Sequence, residues 1–148
     1  MIALHSLKLL HKLNLVRLFF PVFENQGVEF LGLKLTNRLG TAAGLDKNGD
    51  FIDSVGSLGF GFLEVGTVTP KAQIGNPKPR VFRVFDEEAI INRLGFNNKG
   101  VDYLVTRLQK KKFQGIVGVN IGANKTSQGQ KRIEDYIECF QKVYQYAD

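Results

Sequence analysis

Leu4, Leu7, Leu10 and Leu13 recur at helical spacing, joined by Leu9, Val16 and Phe20. The period predicts an amphipathic helix over residues 2–12, resuming over 15–20 and stopping before Pro21. Val28-Glu29-Phe30 and Leu33-Lys34-Leu35 then alternate around Leu31-Gly32, which reads as a short hairpin. From there strand-like runs alternate with helix-like periods. Residues 38–43, 62–66 and 116–121 read as strands, and 51–58, 100–112 and 133–147 as helices. The second of these helices carries Val101, Leu104, Val105 and Leu108 on one face. The third carries Ile133, Tyr136, Ile137, Phe140, Val143 and Tyr144. Apolar strands separated by helices predict a parallel sheet covered on its outer face. Between the second and third strands lies an excursion over 71–98. Its segments 80–85 and 89–92 flank the acidic turn Asp86-Glu87-Glu88, as a second hairpin standing over the strand ends.

Bulk composition narrows the function only slightly. The 148 residues, 43% of them hydrophobic, suffice for one domain with a core. A net charge of +6 permits contact with phosphates or anionic lipid, but the 20 Lys and Arg are dispersed. Only Lys110-Lys111-Lys112 forms a run, at the end of a predicted helix, where cations complement the helix dipole. Phe82 and Phe85 lie near Arg80 and Arg83, an arrangement able to stack bases. Their alternation fits a hairpin core better, and no nucleic-acid partner is expected. The single cysteine, Cys139, excludes an internal disulfide and a cysteine-rich zinc site, and its helical setting suits a small buried hydrophobe. His5 and His11 stand away from any carboxylate cluster, so no metal site is expected. No serine has a His or Lys arrangement around it. In the first 23 residues Lys8, Lys12 and Arg17 interrupt every apolar stretch before the roughly 20 residues needed to span a bilayer. Two readings of this basic helix stay open. It packs on the rest of the protein, or it dips Leu and Phe into a membrane surface with Lys and Arg at the headgroups.

The chemistry is concentrated where strands end, which is where ligands bind in parallel α/β proteins. Ala42-Ala43-Gly44 lets a flat ring system lie against the backbone, and Lys47 adds a positive charge suited to an electron-rich ring or a carboxylate. Asp46 either pairs with a basic neighbour or caps the following helix. Gly66-Thr67 closes the second strand with a hydroxyl. Asn92, Asn97 and Asn98 surround Arg93, Leu94, Gly95 and Phe96, with more amides than a turn requires. They suit a small planar ligand with carbonyl and NH groups. Asn120-Ile121-Gly122 adds another amide after the third strand. No Gly-x-Gly-x-x-Gly and no Walker loop is present.

These segments form a set. Ala42-Ala43-Gly44-Leu45-Asp46-Lys47, Glu64-Val65-Gly66-Thr67-Val68-Thr69-Pro70, Gly75-Asn76-Pro77-Lys78-Pro79-Arg80, Asn92-Arg93-Leu94-Gly95-Phe96-Asn97-Asn98 and Asn120-Ile121-Gly122-Ala123-Asn124-Lys125 together resemble the quinone-dependent (class 2) dihydroorotate dehydrogenase family. The resemblance implies a (β/α)8 TIM barrel holding FMN at its C-terminal face. It divides the chain into an N-terminal amphipathic helical segment, 1–26, at the membrane and quinone side, and an incomplete barrel, 27–148, of about three strand–helix units. It implies oxidation of dihydroorotate to orotate in de novo pyrimidine biosynthesis, with ubiquinone or menaquinone as final acceptor. By position, Ala43, Gly44, Leu45, Asp46, Lys47, Thr67 and Asn120 would contact FMN. Lys47, Asn92, Arg93, Leu94, Gly95 and Phe96 would hold the substrate. The family's serine base belongs to a loop after the fourth strand, beyond Asp148, as do the FMN phosphate site and further substrate groups. The implied location is peripheral, on the cytoplasmic face of a bacterial inner membrane, with a cytoplasmic chain as the alternative. Three strands of eight cannot close a barrel. Inward faces near Ala42, Leu63 and Val119 are therefore expected to lack packing partners, and the chain alone is expected to bind FMN weakly or not at all, without turnover. The competing function is a non-catalytic membrane- or partner-binding module built on a barrel remnant.

Overall fold

In the computed structural model, which describes residues 2–20 and 27–148, two short helices lead into a parallel sheet covered by three more. The helix stop at Pro21 and the division at residue 26 lie outside the described residues. Helix α1 (Ile2–Lys12) places Leu4 and Leu7 against the core and ends on Lys12, a cation that suits a helix C-terminus. Helix α2 (Val16–Phe19) follows and buries Val16. Strands β1 (Val28–Phe30) and β2 (Leu33–Leu35) pair antiparallel. Leu31 at φ 50° and Gly32 at φ 80° supply the left-handed pair that a two-residue hairpin turn needs.

The sheet that positions the site runs β3 (Gly40–Thr41), β4 (Phe62–Val68), β7 (Ile116–Ile121), all parallel. Helices α3 (Ile52–Gly56), α4 (Val101–Leu108) and α5 (Gln130–Val143) supply the outer layer. Leu63, Val65, Val68 and Val117 meet Phe51, Ile52, Val55, Val101, Leu104, Leu108, Cys139 and Val143 in one core. The parallel order and covered outer face follow the sequence expectation, but three details differ. The strand expected over 38–43 shrinks to two residues. Asn37 draws the chain into a local turn beforehand, accepting from Leu39 N–H and donating to Gly59 O, and the backbone leaves the sheet after Thr41. Within it Gly40 is required by packing, since a Cβ there would fall 2.2 Å from the Phe62 ring.

Leu63 and Val119 were expected on the face lacking partners. Instead Leu63 is 2% exposed and Val119 packs against the same core, so both face the helices. With a period of two, the opposite face is carried by Phe62, Glu64, Ile116 and Gly118, all half-buried. Ala42 is exposed, as expected.

The final helix also turns differently. Its buried line is Asp135, Cys139 and Val143, while Ile133, Tyr136, Ile137, Phe140 and Tyr144 are exposed. Close approach to the sheet selects small side chains: Cys139 Sγ comes within 4.0 Å of Val68 O. The aromatic side of the helix is left outward.

Strands β5 (Val81–Val84) and β6 (Ala89–Asn92) form the second hairpin, joined by a 3-10 turn over Phe85–Glu87. It does not enclose a core of its own. Val81, Phe82, Ile90 and Ile91 are exposed, and Phe85 is 82% exposed.

Candidate active site

The turn after β3 is laced to the end of β4. Gly44 N–H donates to Gly66 O at 2.8 Å, and Gly66 N–H donates to Asp46 O at 3.2 Å. Gly44 sits at φ +107°, and a Cβ built there meets nothing within 4 Å. The backbone at that point therefore borders open space with no side chain over it.

At the end of β4 the register slips between Gly66 and Val68, so Thr67 is an extra residue opposite β7. Such a bulge re-aims a side chain. Here it brings Thr67 Oγ1 to Asn120 Oδ1, donating at 2.6 Å. Asn120 Nδ2 donates to Glu64 Oε1 at 3.0 Å, and Glu64 Oε2 accepts from Ala43 N–H at 3.4 Å. One hydrogen-bonded chain thus joins Ala43, Glu64, Asn120 and Thr67, from the turn after β3 and from strands β4 and β7. Glu64 is the member of this network that sequence reasoning passed over. Its signal was a charged side chain inside an otherwise apolar strand, two positions before the glycine.

Asp46 does not pair with Lys47. Its carboxylate accepts Asp50 N–H at 2.9 Å and Phe51 N–H at 2.7 Å, organising the turn into α3. Burial raises its pKa, against the lowering effect of those backbone donors. Lys47 Nζ instead donates to Asn97 Oδ1 at 3.1 Å. Its pKa is lowered by burial and then by the charge of Arg80. This bond ties the 42–47 turn to the loop that follows β6. Leu45 stands exposed beside it.

The asparagines of that loop are not equivalent. Asn98 is 7% exposed and fully engaged: Oδ1 accepts from Gly100 N–H and Thr69 N–H, while Nδ2 donates to Thr69 Oγ1 and Phe96 O. The turn itself therefore uses this amide, contrary to the expectation that all three exceed what a turn needs. Asn97 is held by Lys47, and Asn92, at the end of β6, is exposed. Arg93 turns its guanidinium onto Pro79 O at 3.1 Å and over the Phe82 ring at 5.7 Å, bracing the hairpin. Leu94 O accepts from Asn76 N–H, and Gly95 O from Gln73 Nε2. Phe96 has φ +49° and is exposed. Segment 92–96 is thus positioned by the 73–80 stretch below it.

A buried amide network supports this layer. Asn124 Nδ2 donates to Thr69 Oγ1, Lys71 O and Gln73 Oε1, and its N–H donates to Asp135 Oδ2 at 2.9 Å. The Ser127 hydroxyl, the Asn124 amide and the charges of Lys131 and Lys71 hold the Asp135 carboxyl below its ordinary value, although burial alone would raise it.

Comparison with known proteins shows what the chain is similar to. A family model described as dihydroorotate dehydrogenase matches residues 26–148. The chain is 48% identical over 147 residues to dihydroorotate dehydrogenase (quinone) of Saccharophagus degradans, covering 99% of this chain and 43% of the relative. It is 58% identical over 120 residues to the protein of that name from Aliivibrio fischeri, covering 81% of this chain and 36% of the relative. A ligand-free structure of the Eimeria tenella enzyme superposes with a TM-score of 0.79 at 36% identity, over 99% of this chain and 43% of that one. The chain thus spans less than half the length of these relatives, as a partial α/β unit similar to TIM-barrel enzymes. With the matched segment covering both the sheet and the strand-end cluster, the chain belongs to the dihydroorotate dehydrogenase family.

Proposed function

We propose that this chain carries the flavin-facing and part of the substrate-facing wall of a quinone-dependent dihydroorotate dehydrogenase, with residues 27–148 as the first three strand–helix units of the barrel. The observation that carries the reading is the hydrogen-bonded chain Ala43–Glu64–Asn120–Thr67, set beside the uncovered backbone at Gly44. These residues fit FMN: a side-chain-free stretch accepts a flat ring, and hydroxyl and amide groups are of the kind that meet ring carbonyls and NH. Ala43, Gly44, Leu45, Asp46, Lys47, Thr67 and Asn120 would hold it. FMN, when bound, supplies the hydride acceptor that passes electrons on to ubiquinone or menaquinone.

The protein's own groups prepare that chemistry. Lys47, bonded to Asn97 in the loop after β6, places an ammonium group that can balance a carboxylate. Partial burial keeps this charge from being screened as it would be in water. The exposed Asn92 offers its amide, and Leu94, Gly95 and Phe96 shape the adjoining wall, with Arg93 bracing them. Dihydroorotate, a planar-edged amide with a carboxylate, suits that combination.

The segment 2–20 exposes Leu9, Leu13, Leu18, Phe19 and Phe20, and Ile2 is 86% exposed. No helix of the described residues is long and apolar enough to cross a membrane. Residues 1–26 therefore serve as an interfacial segment at the membrane surface, on the cytoplasmic face where a bacterial inner membrane offers its quinone. The test is a chimera in which this chain replaces the matching segment of the Saccharophagus degradans relative. It is expected to purify with FMN and reduce a quinone with dihydroorotate, and Lys47→Ala is expected to abolish turnover. A folded chimera without flavin would sink the reading.

A further inference from the structure

Away from the strand-end cluster, a second hollow of about 460 Å³ lies between α1, residues 49–54 and the segment following α4. Lys8, Lys12, Arg107, Lys110, Lys111 and Lys112 line it, with His11, Asp50 and Asp53. Both carboxylates are already committed. Asp50 accepts the Tyr103 hydroxyl at 2.6 Å and Lys99 Nζ at 3.0 Å, and lies 3.5 Å from Arg107 Nε. Asp53 Oδ1 accepts Lys112 N–H at 2.7 Å and Phe113 N–H at 2.9 Å. Lys8 Nζ donates to Asp50 O, and Lys111 lies 3.6 Å from Asp148. Among the described residues, Lys12, Lys110 and Lys112 form no ion pair.

The lysine run had a local explanation, completion of a helix dipole, but α4 ends at Leu108 and the run lies beyond it. The fold brings it against the cationic side of α1, about a hundred positions away in sequence. Two groups of like charge brought together cost stability, and such costs are retained where a ligand needs them. Phosphate is the ligand chemistry that matches several ammonium groups around one concavity. The same helix that supplies Lys8 and Lys12 exposes Ile2 and Leu9, and Leu13 just after it is exposed too.

We propose that this hollow binds the phosphate of an anionic lipid headgroup while the apolar residues of α1 enter the membrane surface. The proposal rests on the interfacial reading of α1 and adds a defined headgroup site to it. Lys12, Lys110 and Lys112 contact the phosphate, and Lys8, held by Asp50 O, fixes the angle of α1 over the site.

The test is sedimentation of the 148-residue chain with phosphatidylcholine vesicles, with or without phosphatidylglycerol. The wild type is expected to prefer the anionic vesicles at least tenfold. The variant K12Q/K110Q/K112Q loses that preference and keeps its weaker binding to neutral vesicles. K34Q/K78Q/R132Q, which removes the same charge from elsewhere on the surface, retains the preference, and so does K12R/K110R/K112R. Thermal melts by circular dichroism establish that all variants fold. Equal losses in the two glutamine triples would show diffuse attraction and overturn the site, and so would an unaffected K12Q/K110Q/K112Q. Equal wild-type binding to both vesicle types would overturn the headgroup site and leave the interfacial reading standing. No binding to any vesicle would overturn both. In that case, saturable shifts of lysine signals with inorganic phosphate would identify a free anion as the ligand.

Discussion

Glu64 accepts from both Ala43 N–H and Asn120 Nδ2, so its removal strands a donor on each of two strand ends. Glu64→Ala is expected to cost about 1–3 kcal/mol in urea unfolding. In the chimera it should lower flavin content at least tenfold, whereas Glu64→Gln, which keeps one acceptor, retains most of it. Unchanged flavin in Glu64→Ala would show that Asn120 needs no such support. Asn97 and Asn98 invite a paired comparison. Asn98→Ala strands buried groups at Thr69, Gly100 and Phe96 and should destabilise by roughly 2–3 kcal/mol, while Asn97→Ala touches only Lys47 and should stay within about 0.5 kcal/mol. An asparagine in a loop looks the same in sequence whether its amide serves a ligand or the loop itself. For that reason the site region was legible, but not the division of labour among its amides. Asp135 carries a pH signature. Its folded pKa is depressed, so its contribution is present above the ordinary carboxylate value of about 4 and is lost as pH falls through the lower folded value. The stability gap between wild type and Asp135→Asn should therefore be flat above pH of about 5 and close on acidification. Asp46, raised by burial, titrates with the opposite sign, so only the difference between the two proteins isolates Asp135.

Helix α5 shows where periodicity is a good guide and where it stops. Ile133, Tyr136, Ile137, Phe140 and Tyr144 recur at helical spacing, and the segment is indeed a helix. Yet the face turned inward carries Asp135 and Cys139, because only short side chains fit against β4 and β7 while Asp135 is bound to the loop at Asn124. A pattern of large residues tells that a helix has an apolar side, not which neighbour covers it. The strands obey a related limit. The bounds of β7 were readable to the residue, since five apolar or small positions and Asn120 are flanked by loops, but a largely apolar run hides which face is inward. Leu63 consequently appeared as an inward residue when it lies under the helices. The same burial makes Cys139 chemically quiet. Desolvation, then the charges of Glu138 and Asp135, push its thiol up to about 12. In the folded chain, thiol reagents at pH of about 8 should modify Cys139 only at the rate of opening, and denaturant should release full reactivity. Rapid labelling of the native chain would mean that α5 is detached from the sheet.

The molecule covers one face of its sheet with a continuous core and leaves the other to Phe62, Glu64, Ile116 and Gly118, half in water. The hairpin of β5 and β6 and the aromatic side of α5 add exposed apolar surface on separate elements. Gly44, Thr67 and Asn120 would offer a flavin one wall, with open space beside Gly44, where a Cβ meets nothing within 4 Å. Ligand sites that bind tightly enclose most of the ligand surface, so one-sided support should leave flavin affinity at least tenfold weaker than in the chimera. The prediction is specific about what survives. The Ala43–Glu64–Asn120–Thr67 bonds are internal to the described residues and need no further covering, so the isolated chain should fold with the core intact. Its exposed apolar faces should bind a hydrophobic dye strongly and drive self-association at high concentration. Fluorescence titration with FMN, dye binding and sedimentation on one preparation separate these effects. Weak flavin binding with a cooperative melt fits a preformed but uncovered wall. Stoichiometric flavin binding at submicromolar concentration would show that the wall alone encloses the ring. A non-cooperative melt would place the fault earlier, in a sheet that cannot hold its outer helices without a partner on the inner face.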